Sequence, residues 1–379
     1  MEFGAGLAGL WSGGLIYVIP FLFVLTIIVF FHELGHYLVA RWSGIKALVF
    51  SVGFGPEIVG FNDRHGTRWR LTAIPLGGYV KFLGDENAAS VPDHAAMAKM
   101  DAADRAGAFP SASVGKRAAT VAAGPIANFI LAIAIFAGVA FAEGRVVGDP
   151  VVAEVRAGSP ADAAGFEPGD RVVSADGRPI AYFSDLQRYV SARPDTPIAM
   201  VVERDGQPVD LTVTPRVETQ TDGFGNSFDV PVIGLVATND GSSFRVEELS
   251  ALESLSYGVS QTWFVTERTV DFLGQIIVGR QSADQIGGPI RIAQVSGQVS
   301  TIGFGALLNL AALLSVSIGL LNLLPIPMLD GGHLLFYAYE AVRGRPLSER
   351  IQEIGFRIGL ALVLMLMVFA FWNDISGLV

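Results

Sequence analysis

The chain has 379 residues, no cysteine, 51% hydrophobic and 16% charged residues, and a mean hydropathy of +0.47. A charged share so far below the roughly 25% of soluble domains excludes a wholly water-soluble globule, and the lack of cysteine excludes a disulfide scaffold, a thiol nucleophile and any Cys-ligated zinc or iron–sulfur site. A net charge of -10 argues against sequence-general nucleic-acid binding, so no nucleic-acid partner is expected.

Four stretches lack charge over lengths that suit a bilayer: 3–31, 118–142, 292–329 and a shorter 358–373. About 20 helical residues cross the hydrocarbon, so the first three suffice and the fourth needs Ile354 to Phe356 plus snorkelling by Arg357. The first stretch lacks a basic start and is too long for a cleaved signal peptide. At its inner end stands His32-Glu33-Leu34-Gly35-His36. On a helix, positions i and i+4 share one face, so both imidazoles can grip one metal with Glu33 beside it. Three ionisable groups within five residues at the end of a 29-residue uncharged run need a strong compensating partner, and Zn2+ is one.

Next, 49–82 is rich in glycine, aromatic and β-branched residues with turn signals at Asn62-Asp63 and His65-Gly66, which predicts a small β-meander at the membrane face. Residues 83–112 read as a solvated loop with one short helix from Pro92. After the second span, short β-rich runs at 151–155, 171–174, 198–203 and 209–214 alternate with turns at Asp176-Gly177 and Asp205-Gly206. Gly158-Ser159-Pro160-Ala161 through Ala164-Gly165, then Pro168-Gly169-Asp170-Arg171-Val172, resembles a PDZ domain, which implies recognition of an extended peptide or an exposed terminus. The stretch 246–280 mixes Leu, Trp263, Phe264, Phe272 and Ile276 with charges at near-helical spacing and is expected to lie along the interface.

The third span ends in Pro325-Ile326-Pro327-Met328-Leu329-Asp330-Gly331-Gly332. Asp330 follows 38 uncharged residues and is the outstanding candidate for the zinc ligand that two histidines leave missing. Two prolines break the helix before it and two glycines let the backbone turn. His333 is the rival ligand, and a helix-capping role for Asp330 is the plain alternative. His65 and His94 lie in polar loops and carry no assigned role.

The elements sort into 1–42, the first transmembrane helix with its metal motif; 43–114, a cytoplasmic membrane-associated β-meander and loop; 115–142, the second helix; and 143–217, the PDZ domain. There follow 218–290, a linker strand and interfacial amphipathic region; 291–342, the third helix with Asp330; and 343–379, a loop and the fourth helix. The expected fold is a multi-pass α-helical membrane protein of four spans with a membrane-associated β-meander and one inserted PDZ β-domain. Arg41, Lys46, Lys116 and Arg117 flank the first loop, and Arg343, Arg345 and Arg350 the last. Basic loops stay cytoplasmic, so both termini and the inserted domain fall outside and the metal site near the cytoplasmic side.

His32 to His36, Gly124-Pro125-Ile126-Ala127-Asn128 and Leu321-Asn322-Leu323-Leu324-Pro325 through Leu329-Asp330-Gly331-Gly332-His333 together resemble the site-2 protease family of intramembrane zinc metalloproteases (M50), and with a single PDZ domain the chain is similar to the bacterial RseP type. The resemblance implies a zinc metalloendopeptidase of the inner membrane, with one catalytic Zn2+ on His32, His36 and Asp330 and Glu33 as general base. It also implies that Gly77-Gly78-Tyr79 pair with substrate backbone, that Asn322 hydrogen-bonds the unwound substrate and that Asn128 shapes the site. The implied substrates are single-span proteins of the lipid bilayer already cut by a site-1 protease, such as anti-sigma factors, and signal-peptide remnants. Members with two tandem PDZ domains differ from this chain, which has room for one. The alternative is a membrane-anchored PDZ adaptor whose metal is structural.

Overall fold

The computed structural model describes residues 2–85, 93–221, 227–237, 244–279 and 287–376, with side chains from Gly14 onward. The chain forms two units: Met1–Val139 with Ala251–Val379, and Ala140–Ser250.

In the first unit, α1 (Glu2–Trp42) runs unbroken through the histidine motif, with Pro20 accommodated inside it ahead of the motif. A hairpin follows, β1 (Ala47–Asn62) and β2 (Arg68–Phe82). Its two long strands fold over so that Val49 to Val52 face both 78–81 and 68–71, which makes the expected meander from two strands. Asp63 anchors the turn: its carboxylate accepts from the backbone N–H of His65 and Thr67, from Trp69 Nε1 at 3.1 Å and from the Tyr37 hydroxyl at 2.6 Å. The turn is thereby tied to α1. Phe50 stacks on Trp69 at 4.1 Å in a core that also holds Tyr37, Val80, Phe82, Phe109 and Tyr337.

The expected loop with one helix is instead α2 (His94–Lys99), α3 (Ala102–Gly107) and a 3₁₀ turn at Phe109–Ser111. Asp93 and Asp101 accept from backbone N–H groups of the first turns of α2 and α3, an aspartate N-cap signal that composition alone hides. Pro92 lies outside the described residues. Then comes α4 (Val114–Glu143).

The second unit holds β3 (Arg145–Gly148), β4 (Val152–Val155), α5 (Pro160–Ala164), β5 (Arg171–Ala175), β6 (Arg178–Pro179), α6 (Phe183–Ser191), β7 (Ile198–Arg204) and β8 (Gln207–Val213). Strands β6-β5-β7-β8 form one antiparallel sheet. Ser159 caps α5, Pro160 opens it and Gly165 closes it at φ +85°. The core of Val172, Leu186, Ile198, Met200 and Val202 is fully buried. The boundary expected at 217 moves to 250. Beyond β8 lie β9 (Arg216–Thr221) and β10 (Ser227–Val232), which pair with each other, β11 (Leu235–Ala237), which pairs with β4, and β12 (Phe244–Glu247), which pairs with β3. A partner strand 80 residues away leaves no local signal, so the linker strand belongs to the inserted unit.

The first unit resumes with α7 (Ala251–Ile277), α8 (Pro289–Ile302), α9 (Phe304–Asn322), α10 (Asp330–Arg343) and α11 (Glu349–Ser376). The segment expected over 291–342 is three helices: the break before Asp330 lies where the two prolines were expected to put it, and the break at Gly303 was not expected. Gly303, at φ +150° and ψ 168°, takes a conformation open essentially only to glycine and splits α8 from α9. The Leu323–Leu329 turn splits α9 from α10. Among the described residues, four helices are long and apolar enough to cross a membrane, Gly14–Trp42, Val114–Glu143, Phe304–Asn322 and Arg350–Ser376, which matches the expected number. Without a hydrophobic drive between helices in lipid, small residues set their contacts. Ala311 and Ala312 of α9 are fully buried, Ala311 against Val24 and Ile28 of α1, Ala312 against Ala132 and Phe136 of α4. A side chain on Gly35 would strike Ala123 and Ala127.

Candidate metal centre

His32 and His36 sit one turn apart on α1 with ring centroids 4.8 Å apart and planes at 85°. Asp330 is the first residue of α10, delivered by a turn in which Met328 holds φ at +84°, a strained value for a bulky residue. Just after that turn, in the first turn of α10, Gly331 and Gly332 lie so close to the Leu323, Leu324 and Ile326 carbonyls that a Cβ on either would collide. Three donor atoms converge. His32 Nε2 and His36 Nε2 are 3.2 Å apart, Asp330 Oδ2 lies 3.2 Å from the first and Oδ1 3.5 Å from the second, and one donor atom from each residue falls within 4.8 Å of the other two.

These spacings pass a test for zinc. Four ligands at about 2.0 to 2.1 Å around a tetrahedral ion stand roughly 3.3 Å apart. Asp330 Oδ2 is buried without a hydrogen-bond partner among the described residues, which costs free energy unless a cation completes it. His333, the rival ligand, lines the same cavity but stacks toward Phe356 at 5.4 Å, outside the group of three.

The surroundings hold the ligands. His36 Nδ1 meets the Thr120 carbonyl of α4 at 2.9 Å, so as the N–H donor it leaves Nε2 for the metal. Gly124, one turn along α4, has no room for a side chain, because a Cβ there would overlap His36 Nε2. Fully buried Asn128, another turn on, faces His32 Nδ1. Arg117, at the start of α4, donates to Glu340 of α10 at 2.7 Å and lies over the Tyr337 ring. The helix carrying Asp330 is thus clamped to the helix carrying Thr120, Gly124 and Asn128.

Glu33 is 9% exposed and accepts a hydrogen bond from the Val80 backbone. The hairpin reaches it because Gly78 has no side chain; a Cβ there would press on Val29 and the Glu33 stem. Gly77 takes φ +120°, and Tyr79 stacks on Phe54 at 5.9 Å. A cavity of about 610 Å³ opens here, with His32, Glu33, His36 and Asp330 on one wall and Gly77, Gly78, Tyr79 and Asn322 among the others. Every residue singled out in the sequence for metal or substrate therefore borders one space; Asn128 stands behind His32. Sequence reasoning passed over Gly124, although it belongs to the same quoted motif as Asn128. It also passed over Thr120, whose contribution is a backbone carbonyl and has no side-chain signature. His65 stays on the hairpin turn, and the side chain of His94 lies outside the described residues.

The family profile of Peptidase family M50 matches residues 20–366. The chain belongs to peptidase family M50. Its expected enzyme class, a zinc metalloendopeptidase, stands with that membership, and with its apolar helices it is an integral membrane protein. It is 56% identical over 363 residues to a protein of Rhizobium meliloti named "Putative zinc metalloprotease", with 96% of this chain and 97% of that one covered. A protein of Agrobacterium fabrum, likewise named a "Putative zinc metalloprotease", is 54% identical over 363 residues, with 96% of each chain covered. Metalloprotease MmpA of Caulobacter vibrioides is 43% identical over 388 residues, again with 96% of each covered. Among solved structures, the PDZ domain of an SdrC-like protein of Listeria monocytogenes matches 24% of this chain and 87% of its own, at 16% identity and a TM-score of 0.20. At that score the likeness carries no argument about function.

Proposed function

We propose that this M50 member hydrolyses peptide bonds within or near the transmembrane segments of single-span membrane proteins, using one catalytic Zn2+. The carrying observation is the convergence of His32, His36 and Asp330 beside Glu33 in an apolar-walled cavity, with the histidines and Glu33 on a membrane-spanning helix. His32, His36 and Asp330 would hold the ion, which when bound acts as a Lewis acid and lowers the pKa of water. Glu33 takes the proton of the attacking water and passes it to the leaving amine. Its hydrogen bond to Val80 and its packing under Gly78 hold the carboxylate facing the cavity.

A helical substrate hides its carbonyls in its own hydrogen bonds, so cleavage requires local unwinding. The Gly77-Gly78-Tyr79 backbone, on a β-strand beside the cavity, offers replacement hydrogen bonds by strand addition, and Asn322 offers an amide to the unwound stretch. Substrates with Gly or Pro near the scissile bond suit this best. The biological reading follows from the family likeness: second cleavage of proteins trimmed by a site-1 protease, such as anti-sigma factors, and clearance of signal-peptide remnants. The enzyme would sit in the bacterial inner membrane with both termini and the inserted domain in the periplasm, the domain reading an extended peptide. A structural-metal adaptor would leave Glu33 and the cavity without a purpose.

The test compares wild type with Glu33→Gln in lipid vesicles against a single-span substrate, alongside membrane proteomes from cells carrying each. The variant should keep zinc and lose cleavage by at least two orders of magnitude, while single-span fragments accumulate. Normal cleavage by Glu33→Gln would refute the reading.

A further inference from the structure

A histidine ligates a metal through an unprotonated nitrogen, so in the neutral ring the other nitrogen must carry the hydrogen and find an acceptor for it. His36 has one in the Thr120 carbonyl. For His32, Nε2 faces His36 and Asp330, so the proton must sit on Nδ1, and what Nδ1 meets is the Asn128 side chain, with Nδ2 at 3.3 Å. In that orientation two N–H groups oppose each other, while Asn128 Oδ1 is buried with no partner among the described residues. A half-turn of the amide exchanges two nearly isosteric atoms, sets Oδ1 opposite the Nδ1–H and so gives that oxygen a partner. The backbone around it is held: Ser315 donates to the Asn128 carbonyl at 3.0 Å, and Gly319 packs so near that a Cβ added to it would come within 3.1 Å of the Asn128 Cβ.

We infer that Asn128 is a positioning residue whose Oδ1 accepts the His32 Nδ1–H and so holds the ring with Nε2 presented to the metal. The inference rests on the reading that His32, His36 and Asp330 bind zinc. Asn128 then forms the outer shell of the site together with the Thr120 carbonyl, one acceptor for each imidazole.

The test is Zn2+ affinity of the full chain in detergent, by competition with a chromophoric chelator, with the visible spectrum of the Co2+ form as a second readout. Asn128→Asp keeps an acceptor in place and should bind zinc within about threefold of wild type with an unchanged Co2+ band. Asn128→Leu, of similar size but with no acceptor, should lose 10- to 100-fold and shift the band. Asn128→Ala removes the acceptor without adding bulk and should fall with Leu. Wild-type affinity in Leu and Ala, or a loss in Asp as large as in Leu, overturns the inference. Asp330→Ala binding zinc as tightly as wild type would instead overturn the metal reading beneath it.

Discussion

Gly124 shows how narrow the tolerances are around the ligands. A methyl group there would overlap the His36 imidazole, whose Nε2 a Cβ would approach to 2.3 Å, so the ring must shift. Gly124→Ala should therefore cut zinc affinity at least 10-fold while leaving helix content unchanged, read by chelator competition and circular dichroism. Met328 presents the opposite case, with a positive φ that glycine would take without strain. Met328→Gly should relieve about 1 kcal/mol of backbone strain, visible as a rise in melting temperature, yet lower cleavage because a cavity-lining side chain is lost. At this scale the site was legible in advance where side chains carry the chemistry. His32, Glu33 and His36 announce themselves by spacing, and Asp330 by being an acid at the end of a long uncharged run. The supports were not, because a carbonyl such as that of Thr120 and a void such as that at Gly124 leave no trace in residue type.

Between elements, the half-buried ion pair of Arg117 and Glu340 joins α4 to α10. Both ends are 14% exposed, so removing one partner leaves the other charge poorly solvated. Glu340→Gln should lower stability by about 2 kcal/mol and weaken zinc binding together, and the charge swap of both residues should recover part of each, measured by thermal melting with and without zinc. In the inserted unit, fully buried Asp170 is the corresponding pin. Burial pushes its carboxyl up, but two contacts from Arg204 and the Glu167 N–H outweigh that and hold it below the usual range. Because the folded group titrates lower than the unfolded one, near pH 4, its stabilisation is complete above that value and fades as pH falls through the folded one. Asp170→Asn should thus lower the melting temperature at pH 7 and make the remaining acid dependence shallower. Element type was readable wherever period and caps agree, as in the strands of this unit. Element limits were not. Gly303 divides α8 from α9 through one torsion angle, and β11 and β12 are strands only because β4 and β3 lie open to them.

For the whole chain, hydropathy marked out four spans and basic residues gave them a direction. The absence of cysteine makes that direction easy to check, since any introduced thiol is the only one. In the proposed orientation, a cysteine at Asp205 should react with an impermeant maleimide from the non-cytoplasmic face, and one at Arg345 only after the membrane is opened. The distribution of donors along the sequence has a consequence for biogenesis. Two come from positions 32 and 36 and the third from position 330, so a ribosome must add 294 residues after His36 before the centre can close. A chain that stops short of position 330 lacks one of the three proposed donors and so cannot assemble the centre.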